Sequence, residues 1–179
     1  MRLDSPKRLH RMVVAALMLA LAYILPFFTG NIPQIGSMLL PMHLPTILCG
    51  FLCGGVWGGA VGFVAPIARS ILTGGFPPMF PTAVAMAFEM ATYGLVSGIL
   101  YRRLSKNLKG IYASLLCAML CGRLVWGLVM TLMLAGGSGF AMSAFLAGAF
   151  TNAIPGIVLQ LVAIPAIVAA LQRSHIRIG

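Results

Sequence analysis

Three ionisable side chains stand inside apolar stretches of this sequence, and their types bound the chemistry on offer: Arg69, Glu89 and Arg123. A charge at the centre of a lipid-like environment costs at least ~2.5–3.5 kcal/mol on insertion scales, so each needs a partner or a wet cavity. Glu89 and Asp4 are the only acidic residues in the chain. A lone carboxylate at depth has no second carboxylate for paired acid–base work. A carboxylate and a guanidinium can instead hydrogen-bond a polar solute, or one another. The same stretches supply His43, Asn152, Tyr93 and Trp126. Tyr93 follows Glu89 by four positions and Trp126 follows Arg123 by three, so on helices each pair shares a face. Apolar walls carrying a few placed polar groups are how small-molecule sites are built.

Other chemistries find no support. No His-Glu-x-x-His, Gly-x-Ser-x-Gly or P-loop string occurs. The pairs Cys49-x-x-x-Cys53 and Cys117-x-x-x-Cys121 could offer four thiolates to zinc. Without polar residues around them, they read as small buried membrane residues. No catalytic residue, metal or cofactor is expected.

The elements that must position these groups follow from composition. The chain is 60% hydrophobic and 8% charged, where a soluble domain carries roughly 45–50% and about 25%. Lipid must therefore be the solvent for most of it. A net charge of +10 could suggest nucleic acid, but that needs a basic patch on a soluble fold. Here the basic residues collect at the ends of apolar runs.

An all-α integral membrane protein of six helices in one domain, residues 1–179, is predicted. The spans fall at about 12–28, 43–54, 58–74, 82–101, 111–134 and 142–171. The first is read as an uncleaved helix, since no A-x-A-like cleavage site follows it. Gly54-Gly55-Val56-Trp57-Gly58-Gly59 is the preferred turn between the second and third. Gly50, Gly54, Gly58 and Gly62 also repeat every four positions, which one long tilted helix would equally use to approach a neighbour. Ten of the twelve basic residues lie in the N-terminus, the 102–110 loop and the tail. Both termini are therefore expected in the cytoplasm.

This topology assigns depths below the outer face: ~7 Å for Arg69, ~10 Å for Glu89, ~15 Å for Asn152 and ~16 Å for Arg123, at ~1.5 Å per residue. His43, at the outer start of the second helix, is placed above them, and the set reads as a pocket opening outward. The bland alternatives are a structural Glu89–Arg123 ion pair, an Arg69 that snorkels to the outer interface, and a His43 that merely starts a helix. Gln160, counted ~27 Å down the last helix, reads as a helix–helix hydrogen bond.

Particular strings carry a resemblance. They are Ala16-Leu17-Met18-Leu19-Ala20, the run Ile32-Pro33-Gln34-Ile35-Gly36-Ser37-Met38-Leu39-Leu40-Pro41-Met42-His43-Leu44-Pro45, and Gly148-Ala149-Phe150-Thr151-Asn152-Ala153-Ile154-Pro155-Gly156. With six spans and basic ends, nearly the whole chain resembles the substrate-binding S component of energy-coupling factor (ECF) vitamin transporters. The resemblance implies a non-catalytic, high-affinity subunit of an ABC importer in a bacterial cytoplasmic membrane. Its solute would be a vitamin or related cofactor precursor, held in an outward cavity lined by the first loop and the last three helices. Its partners would be a transmembrane coupling subunit and two cytosolic ATPases, with Ala16 and Ala20 matching the Ala-x-x-x-Ala face that meets the coupling subunit. Import would proceed by the whole component toppling in the membrane. The Gly-rich turn at 54–59 departs from the Gly-Pro-x-x-Gly form expected there.

Counting Arg69, Glu89 and Arg123 gives the site a formal +1, which suits a carboxylate such as pantothenate. The competing expectations are a membrane-embedded enzyme using Glu89 and Arg123, or a structural subunit with no ligand.

Overall fold

The computed structural model describes residues 6–28, 39–134 and 154–173. Those residues form helices α1 (Pro6–Phe28), α2 (His43–Cys53), α3 (Gly55–Leu72), α4 (Val84–Arg103), α5 (Leu108–Leu134) and α6 (Ile154–Arg173). A wide turn, Met79–Ala83, with Phe80 extended, leads into α4. Asn152 and the first twelve residues expected in the last helix, 142–153, lie outside the described residues.

Among the described residues, five segments are long and apolar enough to cross a membrane: Arg8–Phe28, Gly55–Leu72, Met79–Arg103, Leu108–Leu134 and Ile154–Arg173. The chain is an integral membrane protein on that ground. The remaining helix, α2, has 11 residues and so reaches only ~16 Å. On α5, Leu116, Leu120, Leu124, Leu128 and Leu132 all point outward, a four-residue stripe that only lipid would accept. Cys117 and Cys121 ride beside this stripe and are exposed, whereas Cys49 and Cys53 are buried. The expectation that all four are buried fails because α5 turns its thiols to the outside of the bundle.

Local chemistry sets the ends. Pro6 opens α1 at the position where a missing N–H costs nothing. Asn107 begins α5 three residues earlier than its hydropathy suggests: its side-chain oxygen accepts the Gly110 N–H at 2.8 Å, and its carbonyl accepts from Ile111. Arg102 and Arg103 close the last turn of α4, where cations match the helix dipole.

Between α2 and α3 the chain reverses at Gly54, whose φ of +96° only glycine adopts readily. The two helices then run antiparallel with Gly50 against Gly58: a Cβ added to Gly58 would sit 2.6 Å from the Gly50 Cα and 2.7 Å from the Gly94 carbonyl oxygen. Gly94 of α4 nests on the Gly58 backbone, and Gly62 on that of Met90. The four-residue glycine period thus serves a three-helix crossing in which backbones touch directly. Gly55 belongs to this contact, facing the Leu95 carbonyl, which is why α3 begins there rather than at Gly58.

Helix α4 is central, packing on α2, α3 and α5, while α6 lies on α5 and α2, and α1 on α2 and α3. Phe51 and Tyr101 meet edge-on at 4.8 Å between centroids. Gln172 of α6 donates to the Tyr101 hydroxyl at 2.6 Å and to the Lys106 carbonyl at 3.1 Å, joining α6 to the α4–α5 connection at the Arg102 end.

Candidate functional site

Glu89 is buried two turns into α4, and three helices converge on its carboxylate. Tyr93, one turn further along, donates its hydroxyl proton to Glu89 Oε1 at 2.8 Å. Arg123 of α5 donates from Nη1 to the same oxygen at 2.7 Å. His43, the first residue of α2, places Nε2 3.8 Å from the other oxygen, Oε2. Its ring lies 5.4 Å from the Tyr93 ring at an interplanar angle of 58°. Gly122 makes room for this arrangement, since a Cβ there would enter the Tyr93 ring.

The energetics favour a tightly held carboxylate. Two charge-assisted donors on one oxygen are individually stronger than neutral hydrogen bonds, and inside a dry bundle the partners must be present because an unpaired buried charge is so costly. Glu89 and Arg123 therefore hold each other, and Tyr93 orients the pair.

His43 stands level with Glu89 rather than above it. The reason is the shortness of α2: with Cys53 tied at the Arg102 end, where Arg102 Nη2 donates to the Cys53 carbonyl at 3.1 Å, an 11-residue helix does not extend past the level of Glu89. Both His43 nitrogens are buried without a hydrogen-bond partner among the described residues.

Arg69 is also buried, but its contacts run elsewhere. Its guanidinium sits 5.5 Å from the Phe27 ring centroid and 6.0 Å from that of Phe76, and Nη1 lies 3.5 Å from the Tyr23 carbonyl. It serves the seam between α3 and α1, where aromatic faces stabilise a desolvated cation. Trp126 is half-buried on α5, one turn beyond Arg123.

Gln160 is the residue that sequence reasoning set aside. It is buried, and its amide nitrogen has no hydrogen-bond partner among the described residues. Its level follows from the basic end of the bundle: Gln160 precedes Gln172 by twelve positions, as Glu89 precedes Tyr101. Both therefore stand about 18 Å above the Gln172–Tyr101 contact, at one height. Counting from an outer start at 142 hid this; counting from the basic end would have found it.

What this arrangement can do is bind. It offers a fixed charge pair, an imidazole whose Nε2 faces Glu89 Oε2 at 3.8 Å, and an amide whose nitrogen has no hydrogen-bond partner among the described residues, all buried among helices. It holds no nucleophile with an adjacent base, and among the described residues no group of three or more His, Cys, Asp or Glu that could hold a metal. The family model described as "ECF transporter, substrate-specific component" matches residues 10–168. No curated protein and no solved structure matches the chain.

Proposed function

This chain belongs to the family of ECF transporter substrate-specific components, and on that premise we propose that it binds a vitamin or related cofactor precursor with high affinity for import. The observation that carries the reading is the set of buried polar atoms without a hydrogen-bond partner among the described residues, His43 Nδ1 and Nε2 and Gln160 Nε2, at the level of the Glu89–Arg123 pair. A buried donor or acceptor left unmade costs about 1–3 kcal/mol. A solute that satisfies such groups recovers that cost, which is how a small cavity achieves tight binding without large area. His43, Glu89, Tyr93 and Arg123 form its floor in this proposal, Gln160 and Trp126 flank it, and Asn152 approaches from the outer side.

Six membrane segments with both termini cytoplasmic complete the proposal. Arg11 at the start of α1, Arg102 and Arg103 at the end of α4, and Arg173 at the end of α6 give that end its positive bias. Arg69 belongs to the α1 seam here, so the cluster counts to zero with His43 neutral. The +1 that favoured a carboxylate such as pantothenate included Arg69, and neutral polar solutes therefore stand beside anionic ones. A thermal-shift panel of anionic, neutral and cationic vitamins on the purified protein tests the reading. One class is expected to raise the melting temperature, and Gln160→Leu to weaken that hit about tenfold while leaving the unliganded melt unchanged or higher. No response to any member of the panel would overturn it.

The proposed partners are a transmembrane coupling subunit and two cytosolic ATPases, since this sequence carries no P-loop string and import against a gradient needs an energy source. Ala16 and Ala20 are both exposed on α1, while Ala15 and Ala22 are buried against the bundle. Two small residues one turn apart on an outward face admit the close approach of another helix. Ala16→Trp is expected to leave solute binding intact and to abolish uptake when the coupling module is present. If solute binding falls as well, this face packs within the chain and the interface lies elsewhere.

A second reading has its own support. The Glu89–Arg123–Tyr93 contacts are short and mutually satisfying, as a purely structural clamp in a subunit without a ligand would be.

A further inference from the structure

At the opposite end of the bundle from Glu89, a cavity of about 290 Å³ opens between α1, the α2–α3 turn and α4. Arg11 and Arg102 line it, together with Gly54, Gly55 and Trp57. The Arg102 guanidinium lies over Gly54, where a Cβ would collide with it, and it is steadied by the Cys53 carbonyl. The first intrahelical bond of α3 runs from the Gly58 N–H to the Gly54 carbonyl. The amides of residues 55–57 precede that bond and have no acceptor in their own helix, at the positive end of the helix dipole, and all three residues line the cavity. Two guanidinium groups and a helix N-terminus in one cavity call for one kind of occupant, an anion.

The walls specify it further. Leu95 and Ile99 also line the cavity, and both are exposed, at 42% and 38%. They continue the lipid-facing surface of α4 away from the basic end. A soluble anion has no use for that apolar extension, and a chain-bearing one does. We infer that this cavity seats the phosphate of an anionic phospholipid, its headgroup against Arg11, Arg102 and the α3 amides and its acyl chain along Leu95 and Ile99. The inference is independent of the solute: it concerns the other end of the molecule and needs no vitamin bound.

Native mass spectrometry of the full chain in detergent, titrated with phosphatidylglycerol and with phosphatidylcholine of the same chains, tests it. Phosphatidylglycerol adducts are expected to survive where phosphatidylcholine adducts do not. Arg11→Gln and Arg102→Gln should each lower phosphatidylglycerol occupancy about fivefold, the scale of one basic residue near an anionic surface. Arg103→Gln, on the same helix end but outside the cavity, should lower it less than twofold. The lipid comparison on the unsubstituted protein stands even if a variant folds poorly. Equal retention of the two lipids, or an equal loss from Arg103→Gln, overturns the inference. So does full displacement of phosphatidylglycerol by millimolar inorganic phosphate or by a glutamate-rich peptide, which would reassign the cavity to a soluble anion or an acidic partner.

Discussion

Glu89→Gln is expected to eliminate detectable solute binding and to lower the stability of the protein, and the double variant Glu89→Gln/Arg123→Met is expected to recover the stability but not the binding. The single change strands Arg123, which is buried and loses its 2.7 Å partner. Breaking a buried pair from one side costs about 3–5 kcal/mol, mostly the penalty of the charge left behind. Replacing both members removes the stranded charge, and apolar substitutes for buried ion pairs are often neutral or stabilising. Binding obeys a different arithmetic. A solute that uses the carboxylate loses about 2–5 kcal/mol when it is neutralised, roughly 30-fold to a few thousand-fold in affinity, and a methionine at 123 cannot return it. Melting curves and thermal shift with the panel's best solute measure both quantities on the same samples. Recovery of binding along with stability in the double variant would establish the structural clamp and remove the cluster from the solute site.

The second large effect concerns packing. Gly94→Ala is expected to destabilise the fold by roughly 1–3 kcal/mol or more, because its methyl group would enter the Gly58 backbone and backbones cannot rotate out of the way as side chains do. Alanine is the better helix former by about 1 kcal/mol, so a loss here means that steric exclusion overrides propensity. Gly59→Ala is the internal control. Its added Cβ would meet nothing nearer than the Ala91 carbonyl oxygen at 3.5 Å, and the change should be neutral or mildly stabilising. Thermal melts of the two variants should therefore move apart. Equal melts would mean that the crossing is looser than its geometry.

Much of this was legible beforehand because lipid exposure writes itself into composition. Five of the expected spans overlap helices long enough to cross a membrane, the last over 154–171, and Glu89 with Tyr93 follows from helical spacing alone. Position along a helix follows from counting residues, but azimuth does not. Arg69 sits at a plausible height, yet its helix turns it toward Tyr23 and Phe27 of α1, and nothing local encodes which neighbour that face will meet. The period-four glycines fit a long helix and a hairpin equally well, and the difference is one residue's φ at Gly54. Gln160 was misplaced because its depth was measured from the outer end of the last helix, across residues 142–153. Its register with Glu89 emerges from a contact at the other end, Gln172 on Tyr101.

The meeting of Gly50, Gly58 and Gly94 has a mechanical consequence. Side chains between helices act as bearings: they change rotamer and let one cylinder slide past another. Where main chain rests on main chain there is nothing to re-arrange, and the joint behaves as a weld. Helices α2, α3 and α4 should then translate and rotate together, and their amides near residues 50, 58 and 94 should be among the slowest to exchange hydrogen in the bundle. Whatever gating admits or releases a solute must be carried by the elements hung on that block, or by reorientation of the block entire.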